Sequence, residues 1–140
     1  MNENAMKARK VLESGGYTCV LCQGDAIVTD RRRGVRPLLD LLDSGENFAG
    51  YSAADKVVGK AAAFLYQLLG VEFVYAQVIS QPALDVLKRF GIPTEYGTLV
   101  PAIRNRDNTG FCPMESAVLH IDDPKKALSA VKQTLSDLAK

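Results

Sequence analysis

Ser52-Ala53-Ala54-Asp55-Lys56-Val57-Val58-Gly59-Lys60-Ala61-Ala62-Ala63-Phe64-Leu65-Tyr66-Gln67-Leu68-Leu69-Gly70 is the stretch on which the fold turns. Ser52 with Asp55 three residues on has the form of a capping box, Asp replacing the usual Glu, and a long apolar run follows it. The spacing predicts a helix over Val57 to Leu69, about four turns long. Val57, Ala61, Phe64 and Leu68 make one apolar stripe, and Val58, Ala62, Leu65 and Leu69 make the next. Most of the circumference is therefore apolar and the helix is expected to be buried. Only the stripe Lys56, Lys60, Ala63 and Gln67 offers polar groups. Gly59 costs a helix interior roughly 1 kcal/mol relative to Ala, which makes sense where something packs close against the backbone.

Moving outward, Gly70 ends the helix, and Val71 to Ser80 has the apolar, β-branched pattern of a buried central strand. A second helix starts at Pro82, with Asp85 near its start and Lys88 and Arg89 in its last turn, before Gly91 and Pro93. Thr94 to Val100 is the next strand and Arg104 to Gly110 a polar loop. Cys112-Pro113-Met114-Glu115 opens a short helix, and Pro124 to Ala139 is a terminal helix with Ala127, Leu128, Val131, Leu135 and Leu138 inward. Toward the N-terminus, Asn4 to Ser14 forms a helix stopped by Gly15-Gly16, with Ala5, Ala8, Val11 and Leu12 on one face. Tyr17 to Cys22 and Ala26 to Asp30 make a hairpin through Gln23-Gly24-Asp25, and Pro37 to Leu42 is a short amphipathic helix. Helices alternating with strands predict an α/β fold with its sheet covered on both faces: a three-layer α/β/α sandwich with a mixed sheet, in one domain over residues 1–140. Its edge strands and apolar helix faces suit a homodimer.

The 140 residues are 47% apolar and 24% charged, a globular balance that excludes collagen-like and disordered classes. No charge-free stretch approaches the roughly 20 residues of a bilayer span, so no membrane partner is expected. The first residues lack the apolar core of an export signal, so a cytoplasmic protein is expected. A net charge of +1 supplies no field to draw nucleic acid, which is not expected as a partner either. Arg31-Arg32-Arg33 with Arg36 reads as a solvated loop, the alternative being a contact to a phosphate or carboxylate. Cys19, Cys22 and Cys112 are an odd count without an export signal and read as free thiols. Cys19 and Cys22, three apart on a strand, point to opposite faces, which suits two core thiols and not one chelating or redox pair.

The order helix, hairpin, helix, strand, helix, strand is similar to the ground plan of the cytidine-deaminase-like fold. Gly34-Val35-Arg36-Pro37-Leu38-Leu39-Asp40-Leu41, Ala54-Asp55-Lys56-Val57-Val58-Gly59-Lys60-Ala61-Ala62-Ala63 and Cys112-Pro113-Met114-Glu115 resemble the blocks of a prokaryotic family of unassigned function with that fold. The resemblance runs from Lys7 to Glu115. It implies the fold and leaves the reaction open, because function is carried by sites and not by folds. A zinc deaminase places a His or Cys ligand, with a Glu two residues on, at the start of the central helix, then Pro-Cys-x-x-Cys at the next. Here Ser80-Gln81-Pro82-Ala83-Leu84-Asp85-Val86 keeps the proline but has Ala83 and Val86 at the cysteine positions. Val58-Gly59-Lys60 and Asp55-Lys56-Val57 supply no His-x-Glu pair, and the one histidine, His120, lies elsewhere. Zinc-dependent deamination is therefore not expected, nor is any metal or cofactor.

In the fold so implied, the two central helix starts face one cleft at the sheet edge. Asp55, Lys56 and Lys60 stand at the first of them, with Gly59 allowing close approach. Exposed amides, the positive helix end and two lysines one turn apart favour the phosphate or carboxylate of a small-molecule ligand there. The plainer reading is that Asp55 completes the cap and the lysines face water. Cys112 at a helix start is a candidate nucleophile, with Glu115 or Lys60 as its base and His120 a remote third. Its plainer reading is a buried thiol beside a capping Glu. Tyr51 and Tyr96 either stack on a ring in the cleft or fill core and rim. The expected site is thus Asp55, Lys60, Cys112 and Glu115 for chemistry, and Lys56, Gly59 and Tyr51 for binding. Three functions fit: a zinc-independent enzyme acting on or binding a small nucleoside- or phosphate-bearing metabolite, a non-catalytic sensor that kept the pocket, and a dimeric interaction module.

Overall fold

The computed structural model describes residues 2–104 and 112–139. Along the chain run α1 (Glu3–Gly15), β1 (Cys19–Gln23), β2 (Ala26–Asp30), α2 (Arg36–Asp43), β3 (Ser52–Val58) and α3 (Lys60–Leu69), then β4 (Phe73–Ser80), α4 (Gln81–Arg89), β5 (Thr94–Val100), α5 (Pro113–Val118) and α6 (Pro124–Leu138). The strands form one mixed sheet in the order β2-β1-β3-β4-β5. β1 is antiparallel to both its neighbours, while β3, β4 and β5 run parallel. The α/β class and the mixed sheet are those the sequence predicts.

Element ends fall close to expectation where a local group sets them. The Asn2 side chain caps α1 by accepting from Ala5 N at 2.6 Å. Ser80 does the same for α4 through Ala83 N, and Asp123 for α6 through Lys126 N. Gly24, at φ 57, turns the β1–β2 hairpin in a conformation that suits glycine.

The central stretch differs from its sequence reading. Ser52 to Asp55 are not a capping box and no helix begins at Val57: these residues are β3, and α3 starts at Lys60. Ala53 and Ala54 pack into opposite layers, and both are fully buried. A strand sheathed on both faces loses the alternation that would betray it, and small side chains fit beneath the covering helices. Hydrogen bonding to β1 and β4 then overrides the helix preference of the alanines. Ser52 gives its hydroxyl to Asn2 Oδ1 at 3.1 Å, tying the strand to the cap of α1. From Ala61 to Tyr66 every residue of α3 is buried, as its apolar circumference predicts.

Helices cover both faces. On one, Ala5, Ala8 and Leu12 of α1 pack with Val20, Cys22, Ala54 and Tyr75. On the other, α3 lies at the centre of a larger core, with α2, α4, α5 and α6 around it. Cys19 belongs to the second core and Cys22 to the first, so the two thiols face opposite layers, as their spacing predicts. Among the described residues no helix is long and apolar enough to cross a membrane. The polar loop expected over Arg104 to Gly110 lies, beyond Arg104, outside the described residues.

Candidate functional site

Cys19 at the start of β1 pairs with Asp55 near the end of β3, and the first turn of α3 follows directly. At this end of the sheet a cleft of about 800 Å³ opens. It is walled by Asp55, Lys56 and Val57, by Arg32 and Arg33 after β2, by Arg104, and by Cys112 to Glu115 at the start of α5.

Asp55 forms the buried wall. Its Oδ2 accepts from the Tyr66 hydroxyl at 2.6 Å, and its Oδ1 from Val57 N–H at 3.1 Å. Tyr66 Oη in turn lies 3.4 Å from Cys19 Sγ, a contact in which either atom can donate. Burial pushes the Asp55 carboxyl up to about 7, against the pull of its hydrogen bonds. Burial likewise raises the Cys19 thiol, and burial with the neighbouring Asp55 raises the Tyr66 hydroxyl.

Glu115 reaches from α5 to the start of α3. Its carboxylate accepts from Lys60 N–H at 2.7 Å and from Ala61 N–H at 3.3 Å, doing for α3 what a capping side chain would. Gly59 holds the N-cap position with no side-chain hydrogen bond of its own. A Cβ there would fall on the Glu115 carboxylate. The glycine is required by that approach. Burial raises the Glu115 carboxyl, and the two N–H groups and the Lys60 charge oppose it.

These contacts correct the expected helix-start site. Asp55 and Lys56 are on a strand, so Lys56 and Lys60 do not share a helical stripe. The α3 N-terminus already holds an anion, the Glu115 carboxylate. Lys60 does not line the cleft: its Nζ donates to Leu119 O at 3.1 Å and lies 5.8 Å from the Phe64 ring centre. Tyr51 stands just before β3, at the opposite end of that strand from Asp55, edge-on to Phe48 at 5.2 Å. Tyr96 is on the edge strand β5 and His120 is exposed beyond α5, neither of them in the cleft.

Asp55, Lys56, Cys112 and Glu115 are thus brought together, while Lys60, Gly59 and Tyr51 are not part of the cleft wall. Cys112 is half-buried, its N–H given to Ile103 O at 3.1 Å. The arginine run divides by residue. Arg31 lies over the Tyr17 ring, and Arg32 bridges Asp30 and Asp40, each at 2.7 Å. Arg33 faces the cleft. Sequence reasoning missed Tyr66 and Arg104. A tyrosine in an otherwise apolar helix is a signal in itself, since a buried hydroxyl needs a partner. Among the described residues no group of three or more His, Cys, Asp or Glu side chains is placed to hold a metal ion.

Residues 7–135 match the family model described as TM1506, domain of unknown function (DUF1893). The chain belongs to the DUF1893 family. The crystal structure of TM1506, a DUF1893 family protein from Thermotoga maritima, is similar along almost its whole length. At 29% identity the likeness covers 98% of this chain and 92% of that one, with a TM-score of 0.85. No curated protein matches the chain. The expected membership of a family without an assigned function therefore holds, and the DUF1893 fold is the frame in which the cleft must be read.

Proposed function

We propose that this DUF1893 protein binds or acts on a small nucleoside- or phosphate-bearing metabolite in the cleft beside β3, without zinc. One observation carries the reading. Arg33, Lys56 and Arg104 line the same cleft as the buried Asp55, and none of the three has an ion-pair partner among the described residues. Unpaired cations converging on a concave site suit a phosphate or carboxylate, with arginine adding forked donors. A cytidine-deaminase-like descent is part of the same proposal. Helices on both faces of a mixed sheet support it, and the lost zinc chemistry is supported by Ala83 and Val86, which stand where cysteine ligands would and are buried in the core.

A thermal-shift series tests this with inorganic phosphate, ribose 5-phosphate and nucleoside monophosphates. A ligand at a hundredfold excess over its Kd stabilises by roughly 2.7 kcal/mol. Lys56→Ala and Arg33→Ala should each weaken the response about tenfold, the effect of losing one charged contact. Lys60→Ala, whose ammonium is turned to Leu119, should keep it. No shift with any anion, or equal shifts in all three variants, would overturn the reading.

The dimeric module is the second reading, and the edge strand β5 favours it: Tyr96 and Leu99 are 42% and 39% exposed there. Light scattering should then show a dimer for the unmodified chain and a monomer for Leu99→Lys. A monomeric unmodified chain removes this reading.

A further inference from the structure

Building on that anion-binding cleft, we infer that Asp55 receives the donor end of the ligand, which narrows the ligand to anions that also carry an amine or another N–H donor. Asp55 is only 9% exposed, yet it lines the cleft, and no cation stands within ion-pair distance of it among the described residues. A buried carboxylate without a countercharge is costly, and asparagine would serve a purely structural turn at Val57 with less penalty. Its protein hydrogen bonds, one to each oxygen, leave acceptor capacity unused. The cleft is the side from which a further donor can come.

The neighbours of Asp55 are arranged for two protonation states. With Asp55 ionised, Cys19 gives its S–H to Tyr66 and Tyr66 gives its O–H to Asp55. With Asp55 protonated the chain runs the other way, Asp55 donating to Tyr66 and Tyr66 to Cys19. The Asp55–Tyr66 hydrogen bond survives in both states, and only the weak Cys19 S–H gives up its acceptor in the second, so the carboxyl can gain or lose a proton without losing its partner. The raised Asp55 carboxyl agrees with such a role.

Charged groups also stand on the neighbouring elements and around the cleft. Asp30 on β2 is held by Arg32, and Glu115 on α5 is held by two backbone N–H groups. Arg33, Lys56 and Arg104 line the cleft beside Asp55. A cationic donor arriving in the cleft would supply the countercharge that the fold omits.

Calorimetric titration with two matched series tests this: alkyl phosphates and ω-aminoalkyl phosphates, each with chains of about two to six carbons to scan the span between anion and donor contacts. At about pH 8.5 the best aminoalkyl phosphate should bind at least tenfold tighter than its alkyl counterpart, and at about pH 5.5 the ratio should approach one. Taking the ratio at each pH cancels the titration of the phosphate itself. Asp55→Asn should lose the preference at both pH values. Tyr66→Phe should move the pH at which the preference is lost upward, because the hydroxyl that favours the ionised carboxyl is gone; a merely structural Tyr66 would leave that pH in place.

No binding by either series would defeat the anion-cleft reading itself. Equal binding by both series at every length would leave the cleft standing and defeat this inference alone. Should Asp55→Asn fail to fold, carboxyl-carbon NMR of the unmodified chain decides. The Asp55 midpoint should lie lower with the aminoalkyl than with the alkyl phosphate, and coincident midpoints overturn the inference.

Discussion

A single added carbon at position 59 would reach across the molecule. The Cβ of an alanine there would take the place of the Glu115 carboxylate, which holds the first N–H groups of α3. Gly59→Ala is therefore expected to lower stability by about 2–3 kcal/mol, the cost of displacing a buried charged acceptor from two donors. Glu115→Ala should cost about 1–2 kcal/mol as a lost cap. Urea unfolding of the double variant should show less than the sum, since the same contact is lost only once. Strictly additive losses would mean that Gly59 and Glu115 act independently. At the same scale, burial lifts Asp55 from its ordinary 3.8 to about 7. The folded chain then holds this proton more firmly than the unfolded one, so the contribution of Asp55 is most favourable below pH 3.8, declines as pH rises to about 7, and is level above that. Glu115 pulls the same way, and Asp30, lowered by its hydrogen bond from Arg32, pulls oppositely in the acid range. Comparing unfolding free energies of the unmodified chain and Asp55→Asn across this range isolates Asp55. The unmodified chain should lose ground to the variant as pH rises, and a constant difference would contradict the buried, proton-retaining carboxyl.

At the scale of elements, β3 shows how a local signal yields to pairing. Ser52 with Asp55 imitates a capping box, and the Ala and Val of the block fit helix or strand alike. What decides is the company of β1 and β4, which lies outside any short window. Reading β3 as helix puts Asp55 and Lys56 on the wrong element and hides the Cys19–Tyr66–Asp55 contact, which depends on Cys19 and Asp55 being partners in register. β2, β5 and the extents of α1, α4 and α6 are legible because turn glycines and prolines act over a few residues, whereas the capping side chains Asn2, Ser80 and Asp123 are seen only in the structure. β5 holds a subtler constraint. A Cβ on Gly97 would stand 2.9 Å from the Gln77 carbonyl oxygen, at a level where the pairings Lys56 with Gln77 and Gln77 with Gly97 are both missing from the ladders. Glycine within an exposed strand usually weakens it, and alanine should help. Here Gly97→Ala is expected to cost about 1–2 kcal/mol because the neighbour is backbone and cannot swing aside. A higher melting temperature for Gly97→Ala would refute this.

For the molecule as a whole, protection should follow the sheet. Amide exchange is expected to be slowest in β1, β3 and β4, which have strands on either side, and fastest in the edges β2 and β5, whose residues are largely exposed. Exchange in β5 as slow as in β4 would instead show a covered edge, as a dimer would give. The layered architecture could be read from the alternation of elements, whereas the cleft could not. Its walls come from the end of β3, the turn after β2, Arg104 and the start of α5, so only the assembled sheet brings Arg33 and Glu115 to one cleft. The cysteines offer a way to watch that assembly come apart. Cys19 and Cys22 sit three residues apart on one strand, one beneath the five-helix layer and the other beneath α1. In a time course of thiol labelling, with half-buried Cys112 marking the fast limit, modification of Cys22 before Cys19 would mean that α1 detaches first. The reverse order would mean that the larger layer opens first, so one peptide reports which side of the sheet gives way.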